Sequence, residues 1–202
     1  SEEQRRLLQL EHEGVELISV TDEVLRTIAD TTTPQGLVAV AKAPLNAGAG
    51  MLVGNDLVLI ADEIRDPGNL GTMLRTAAAI GAGVILTSGC TDPTGPKVVR
   101  GSAGALYSVP LWNNAEPSGV MEEVERTGHR LVVCDASGEK PYYALDWRGR
   151  VAVVIGNEAH GPNPAWRGGA SIVCIPMPGR VESLNAGVAA AVVLYEALRQ
   201  RQ

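Results

Sequence analysis

Between Ser171 and Leu198 the chain reads SIVCIPMPGRVESLNAGVAAAVVLYEAL, and the change of period inside this stretch constrains the fold more than any other feature. Ile172 to Ile175 is a short apolar run of strand type, closed by a Pro-Met-Pro-Gly loop. From there Leu184, Val188, Ala191, Val192, Tyr195 and Leu198 recur as one face of a 3.6-residue helix. The opposite face, Ala186, Ala189, Ala190 and Val193, is apolar as well. A helix that is apolar all round has to be covered on both sides. One side is therefore expected on the chain's own sheet, and the other against a second copy of the chain, as a homodimer.

Upstream, strand-like and helical runs alternate. Leu57 to Ala61 reads as a strand, about Gly68 to Ile80 as a helix and Val84 to Thr87 as a strand. A short helix near Lys97 to Ala103 leads to a strand at Tyr107 to Leu111. Ser118 to Arg126 is helical, and Leu131 to Cys134 and Val151 to Ile155 are strands. This alternation predicts an α/β fold with a mostly parallel, doubly wound sheet. In such sheets ligands bind beyond the carboxyl ends of the strands. No G-x-G-x-x-G occurs, and Gly81-Ala82-Gly83 follows a helix, where it reads as a helix stop.

The N-terminal part is less complete. Arg5 to His12 and Asp22 to Ala29 read as helices, Val15 to Val20 and Gly36 to Ala41 as strands, and Thr31 to Pro34 as a break. Two short strands and two short helices bury too little surface for a core of their own, so this piece is expected to be part of a domain. Pro44 to Gly50 reads as a flexible linker. The expected organisation is a partial domain at 1–46, a linker at 47–55 and the α/β domain at 56–202.

Composition narrows the class. The 45% hydrophobic content suits a globular core, and the charged N-terminal SEEQRRLLQLEHEG lacks a signal-peptide core. No apolar run reaches membrane-spanning length; the reading is a cytoplasmic protein with no membrane partner. Cys90, Cys134 and Cys174 are far apart and form no C-x-x-C, so neither a metal site nor a disulfide is expected. The formal charge is −6, whereas nucleic-acid binders are more often basic. Arg65, Arg75, Lys97, Arg100 and Arg180 nevertheless fall in or beside the expected ligand loops.

Three stretches carry the chemistry: Asp66-Pro67-Gly68-Asn69-Leu70-Gly71 with Arg75-Thr76, Gly156-Asn157-Glu158-Ala159-His160-Gly161, and the Ile175 to Asn185 loop with Ser183-Leu184-Asn185. They follow Ile60, Ile155 and Ile175, each just past a strand end, and so can converge in one crevice. Asp66 is a good N-cap with Pro67 at the first helical position, and Ser183 and Asn185 are both N-cap types for the closing helix. In this order and spacing the motifs resemble those of the SpoU (TrmH-like) family of RNA ribose 2′-O-methyltransferases, within the SPOUT superfamily, across roughly Asp56 to Gln202.

The resemblance implies more than pattern can. It implies a C-terminal trefoil knot, and it makes the N-terminal piece part of a small substrate-binding domain similar to ribosomal protein L30e, which favours ribosomal over transfer RNA. It implies S-adenosyl-L-methionine as cofactor, held by Gly156, Asn157, Ile175, Met177 and Leu184, with Leu86 and Thr87 adding to the adenosine pocket. The catalytic set it implies is Asn69, Arg75, Glu158, Ser183 and Asn185, and Arg65, Lys97, Arg100 and Arg180 fall to RNA. Arginine is effectively never deprotonated in proteins, so Arg75 is read as holding a phosphate and stabilising a developing alkoxide. His160 is read as a bystander. A catalytically silent RNA-binding module and a nucleotide-binding α/β enzyme are the rival readings; the intact set of polar residues speaks against the first and the missing dinucleotide motif against the second.

Overall fold

A computed structural model describes residues 9–10, 12–29, 34, 36–43, 46–181 and 183–202. The chain divides into two compact units, Ser1–Lys42 and Ala43–Gln202. In the first, helix α1 (Asp22–Ile28) begins at Thr21, whose hydroxyl accepts from the Val24 amide at 3.3 Å. Val15 to Val20 and Gly36 to Ala41, expected as strands, are irregular. Ile18 and Val40 are 71% and 100% exposed. Among the described residues no strand lies beside either run, so their amides and carbonyls have no ladder to join. The expected helix at Arg5 to His12 lies mostly outside the described residues, as does the break at Thr31 to Thr33.

In the second unit seven parallel strands form one sheet in the order β3-β2-β1-β6-β4-β7-β5. They are β1 (Leu57–Ala61), β2 (Gly83–Thr87), β3 (Leu111–Ala115), β4 (Arg130–Cys134), β5 (Lys140–Pro141), β6 (Val151–Ile155) and β7 (Ser171–Cys174). Every residue of β1, β2 and β6 is buried, because both faces of the sheet are covered. Alternate side chains enter two separate cores. Leu59, Ala61, Val153 and Ile155 pack with Leu70, Met73, Leu74, Ala190, Val193 and Leu194 of α2 (Pro67–Ile80) and α5 (Ala186–Arg201). Val58, Ile60, Ala152 and Val154 pack with Val120 and Val124 of α4 (Pro117–Arg126), with Trp166, and with Met51 and Leu52.

Met51 and Leu52 belong to a stretch expected as linker. Gly48–Gly54 is instead a 3₁₀ helix, entered at Asn46, whose side-chain oxygen accepts from the amides of Gly48 and Asn113, each at 3.1 Å. The flanking small residues suggested mobility, while the apolar pair between them fills the core under β2. A second correction concerns β3, expected at Tyr107 to Leu111. Ala105–Tyr107 is a 3₁₀ turn, and the strand runs on through Asn113 and Asn114, which an edge position tolerates. Asn114 takes a φ of 56° at an irregularity in the β2–β3 register, a conformation that Asn adopts more readily than most residues.

Helix α2 begins and ends as its sequence dictates: the Asp66 carboxylate accepts from the Asn69 amide at 2.8 Å, and Gly81 closes it with a φ of 73°. Helix α3 (Pro96–Ser102) crosses α2 where Gly71 faces Gly101. Helix α5 buries Ala186, Gly187, Ala190, Val193, Leu194 and Ala197 against α2 and the sheet. Its other apolar face stays open in the single chain, with Val188 47% and Tyr195 53% exposed. The last turn of α5 is pinned to the chain before β6: Gln200 accepts from the Trp147 amide and donates to the Leu145 carbonyl, each at 3.0 Å.

A Cβ on Gly71 would lie 2.8 Å from the carbonyl carbon and 2.9 Å from the Cα of Gly101, both backbone atoms that cannot rotate away. Gly71→Ala should therefore cost about 1–3 kcal/mol and lower Tm by roughly 3–10 °C. Thermal unfolding followed by circular dichroism reads this; an unchanged Tm contradicts the close crossing.

Candidate active site

The carboxyl ends of β1, β6 and β7 deliver the three motif loops to one place. Asn69, in the first turn of α2 and 7% exposed, stands between the other two. Its side-chain Nδ2 donates to Oε1 of Glu158, and its Oδ1 accepts from Nδ2 of Asn185 at 2.6 Å. The Asn185 Oδ1 in turn accepts from the Val188 amide at 3.2 Å and so caps α5. One continuous hydrogen-bonded chain therefore runs from the Glu158 carboxylate through two amides into a helix N-terminus. Each amide has both a donor and an acceptor in use, which fixes its flip as well as its place.

Beside this chain lies a cavity of about 330 Å³. Its walls come from the exits of three neighbouring strands, β4 (Cys134, Asp135, Ala136), β6 (Ile155 to Glu158) and β7 (Ile175, Met177), and from the entry to α5 (Ser183, Leu184, Ala186, Ala189). Gly156, Asn157, Glu158, Ile175, Met177, Ser183 and Leu184 thus meet at one cavity, as the sequence predicted. Leu86 and Thr87 do not line it: both are buried, and the Thr87 hydroxyl is committed to Asp62 and to the Glu63 amide. β2 lies on the far side of β1 from the cavity, a placement that strand order decides and sequence spacing does not.

Two of the lining residues also hold their own loop in shape. A Cβ on Gly156 would lie 2.1 Å from the Pro162 nitrogen and 2.4 Å from the Gly161 carbonyl carbon, so the loop folds back directly onto this glycine. Asn157 and Gly161 form an antiparallel bridge that closes the turn. Asn157 lines the cavity, while its side chain braces the loop, donating to the Glu63 carbonyl at 2.9 Å and accepting from the Ala159 amide at 2.8 Å.

The β4 exit was missed. Leu131 to Cys134 was recognised as a strand, and the rule that ligands sit past strand ends would have named Asp135. Burial pushes the Asp135 carboxyl up, but hydrogen bonds from the Ser137 hydroxyl and amide and the Arg167 guanidinium at 2.9 Å outweigh it, leaving its pKa below the ordinary value. The adjoining Cys134 thiol is pushed up to about 12 by burial first, with Asp135 and Cys174 adding to the effect. It is a neutral wall at physiological pH, not a nucleophile.

Arg75 follows on α2 and is exposed, as are Arg65, Lys97, Arg100 and Arg180. Arg65 pairs with Glu63 at 3.3 Å. His160 lines the cavity and is exposed. Among the described residues no cluster of His, Cys, Asp and Glu could hold a metal ion.

Comparison with known proteins places the chain. Residues 56–195 match the model of the SpoU rRNA methylase family. The chain is 35% identical over 212 residues to a 23S rRNA (guanosine-2′-O-)-methyltransferase of Xylella fastidiosa, covering 97% of this chain and 84% of that one. It is 32% identical to the mouse mitochondrial rRNA methyltransferase 3, covering 92% of this chain but 58% of that one. The SpoU methyltransferase AviRb of Streptomyces viridochromogenes, solved in complex with the cofactor AdoMet, superimposes with a TM-score of 0.67 at 36% identity over 80% of this chain and 62% of that one. The chain therefore spans between about three fifths and four fifths of these relatives. With residues 56–195 matched by the family model and a relative 35% identical over most of both chains, the chain belongs to the SpoU rRNA methylase family.

Proposed function

We propose that this chain is an S-adenosylmethionine-dependent methyltransferase that modifies ribose 2′-hydroxyls of RNA, with ribosomal RNA as its substrate. The observation that carries the reading is the cavity at the exits of β4, β6 and β7, adjoining the Glu158–Asn69–Asn185 chain. Its volume suits a nucleoside-sized ligand. Ile175 and Met177 are half-buried and Leu184 is 40% exposed, leaving apolar surface for the faces of an adenine ring. Among the described lining residues there are two carboxylates, Asp135 and Glu158, and no Lys or Arg. Asp135 is paired with Arg167, while Glu158 is met by the neutral Asn69 amide, a balance that suits a cationic ligand better than a diphosphate-bridged one.

S-adenosylmethionine, when bound, supplies a methyl group already activated on a sulfonium, so the protein has chiefly to orient and to exclude water. Gly156, Ile175, Met177 and Leu184 are the residues to hold it. Asn69 keeps Glu158 and the start of α5 in a fixed relation, so the polar side of the site is preorganised. Arg75, exposed on α2 six residues after Asn69, is a permanent cation suited to a substrate phosphate and to charge developing on the attacking oxygen. Ser183 and Asn185 complete the polar wall. The exposed Arg65, Lys97, Arg100 and Arg180 are the further cations proposed to meet the RNA backbone.

Calorimetry with S-adenosylmethionine and with NAD tests the reading. Binding of the first alone is expected, and binding of NAD alone overturns it. Arg75→Ala should abolish methyl transfer to ribosomal RNA while leaving cofactor affinity within about threefold, under ~0.7 kcal/mol; a larger loss of cofactor affinity puts Arg75 in the cofactor pocket.

The reading includes a homodimer. Its support is the open apolar face of α5, where Val188 and Tyr195 are half exposed, a patch that a twofold contact would place on both subunits. Light scattering should give a mass near twice 21.2 kDa, and Tyr195→Glu should shift it to the monomer. A monomeric, fully active wild type contradicts the dimer. The reading also takes the passage from β7 into α5 as a trefoil knot, and residues 1–46 as part of an L30e-like domain joined through 47–55. An experimental backbone trace with RNA bound tests both: an unknotted path, or residues 1–46 clear of the RNA, removes the corresponding element.

A further inference from the structure

Beneath the Glu158 loop lies a buried carboxylate that the chemistry above does not use. Asp62 directly follows β1 and is 2% exposed. Its Oδ2 accepts from the Asn163 amide at 2.7 Å and its Oδ1 from the Thr87 hydroxyl at 3.2 Å. Among the described residues no cation pairs with it. A carboxylate buried without a counter-ion is a costly choice where only shape is needed. What it provides is two acceptor oxygens on one short side chain, meeting donors that arrive from two different strand exits; an amide offers one.

The surrounding bonds lead to the same loop. Glu63 adopts a left-handed φ of 53°, a conformation in which a non-glycine residue persists only when its surroundings hold it. Here its amide donates to the Thr87 hydroxyl at 2.9 Å and its carbonyl accepts from the Asn157 side chain at 2.9 Å. The loop 156–163 is thus tied to the end of β1 near both of its ends, through Asn157 to the Glu63 carbonyl and through Asn163 to the Asp62 carboxylate. Glu158 sits between the two ties, and Gly156, Gly161 and Pro162 of the same loop wall the cavity.

We propose that Asp62, with Thr87, is a positioning residue for this site: its buried carboxylate fixes the loop 156–163 and through it both Glu158 and one wall of the ligand cavity. The inference rests on the methyltransferase reading for the meaning of that cavity, and on the hydrogen bonds alone for the fixing of the loop.

Hydrogen–deuterium exchange on the whole chain without ligand reads the second part independently of function. Asp62→Ala should speed exchange of the 157–163 amides at least tenfold relative to wild type, with strands β1, β4 and β6 changed by less than twofold. Affinity for S-adenosylmethionine should fall about tenfold in parallel. Asp62→Asn, which keeps one acceptor for the Asn163 amide but has no second one for the Thr87 hydroxyl, should restore part of both. Where Asp62→Ala does not fold, Thr87→Val, which deletes only the bridging hydroxyl, takes its place under the same criterion. Exchange in 157–163 that stays within twofold of wild type, or that accelerates equally across all strands, overturns the proposal. A wild type that fails to bind S-adenosylmethionine overturns the methyltransferase reading and leaves the exchange result standing.

Discussion

The site depends on one side chain that is asked to satisfy two loops at once. Asn69 lies in the first turn of α2 because Asp66 caps that helix, and it is buried because α5 packs beside α2. From there its amide donates to Glu158 and accepts from Asn185. Elements separated by 89 and 116 residues in the chain are joined by a single group with a fixed donor end and a fixed acceptor end. A buried amide left with either end unpaired would carry a desolvation cost of about 1–3 kcal/mol, so the arrangement resists partial disassembly. The close passage of Gly187 past Thr72, where a Cβ would lie 3.1 Å from the Thr72 Cβ, brings α5 near enough for the contact to form.

Much of this was legible in the sequence because it rests on local rules. Buried parallel strands must be continuous apolar runs, and β1, β6 and β7 were found within a residue of their ends. Asp66-Pro67 and Gly81 announced α2, and Asn185 announced α5, through the chemistry of helix ends. The convergence of the three motifs followed from their common position past strand ends. What the residues could not express was lateral order. Thr87 and Asp135 both stand at the end of a strand, yet only Asp135 borders the cavity, because β4 lies beside β6 and β2 lies beyond β1.

Other differences arise where composition and tertiary packing compete. The Gly- and Ala-rich approach to β1 looked like linker, but a Met-Leu pair within it fills the core under the sheet. Asn113 and Asn114 lie beyond the strand expected at Tyr107 to Leu111, but an edge strand needs burial on fewer sides. Val15 to Val20 and Gly36 to Ala41 have strand-like residues with nothing among the described residues to pair with. Gly156 lines the cavity, but what requires a glycine there is the loop's own return, which leaves no room for a Cβ. In each case a local preference was read correctly and its tertiary partner was not visible.

The central claim is that Glu158, Asn69 and Asn185 act as one unit because Asn69 joins the two loops. A double-mutant cycle on kcat/KM for methyl transfer to ribosomal RNA, with Asn69→Ala, Asn185→Ala and the pair, tests this most directly. Residues in one hydrogen-bonded network should be non-additive, and the double variant is predicted to lose at least about 1 kcal/mol less than the sum of the two single losses. Additivity within about 0.3 kcal/mol would show that the two side chains act independently, and would contradict the account.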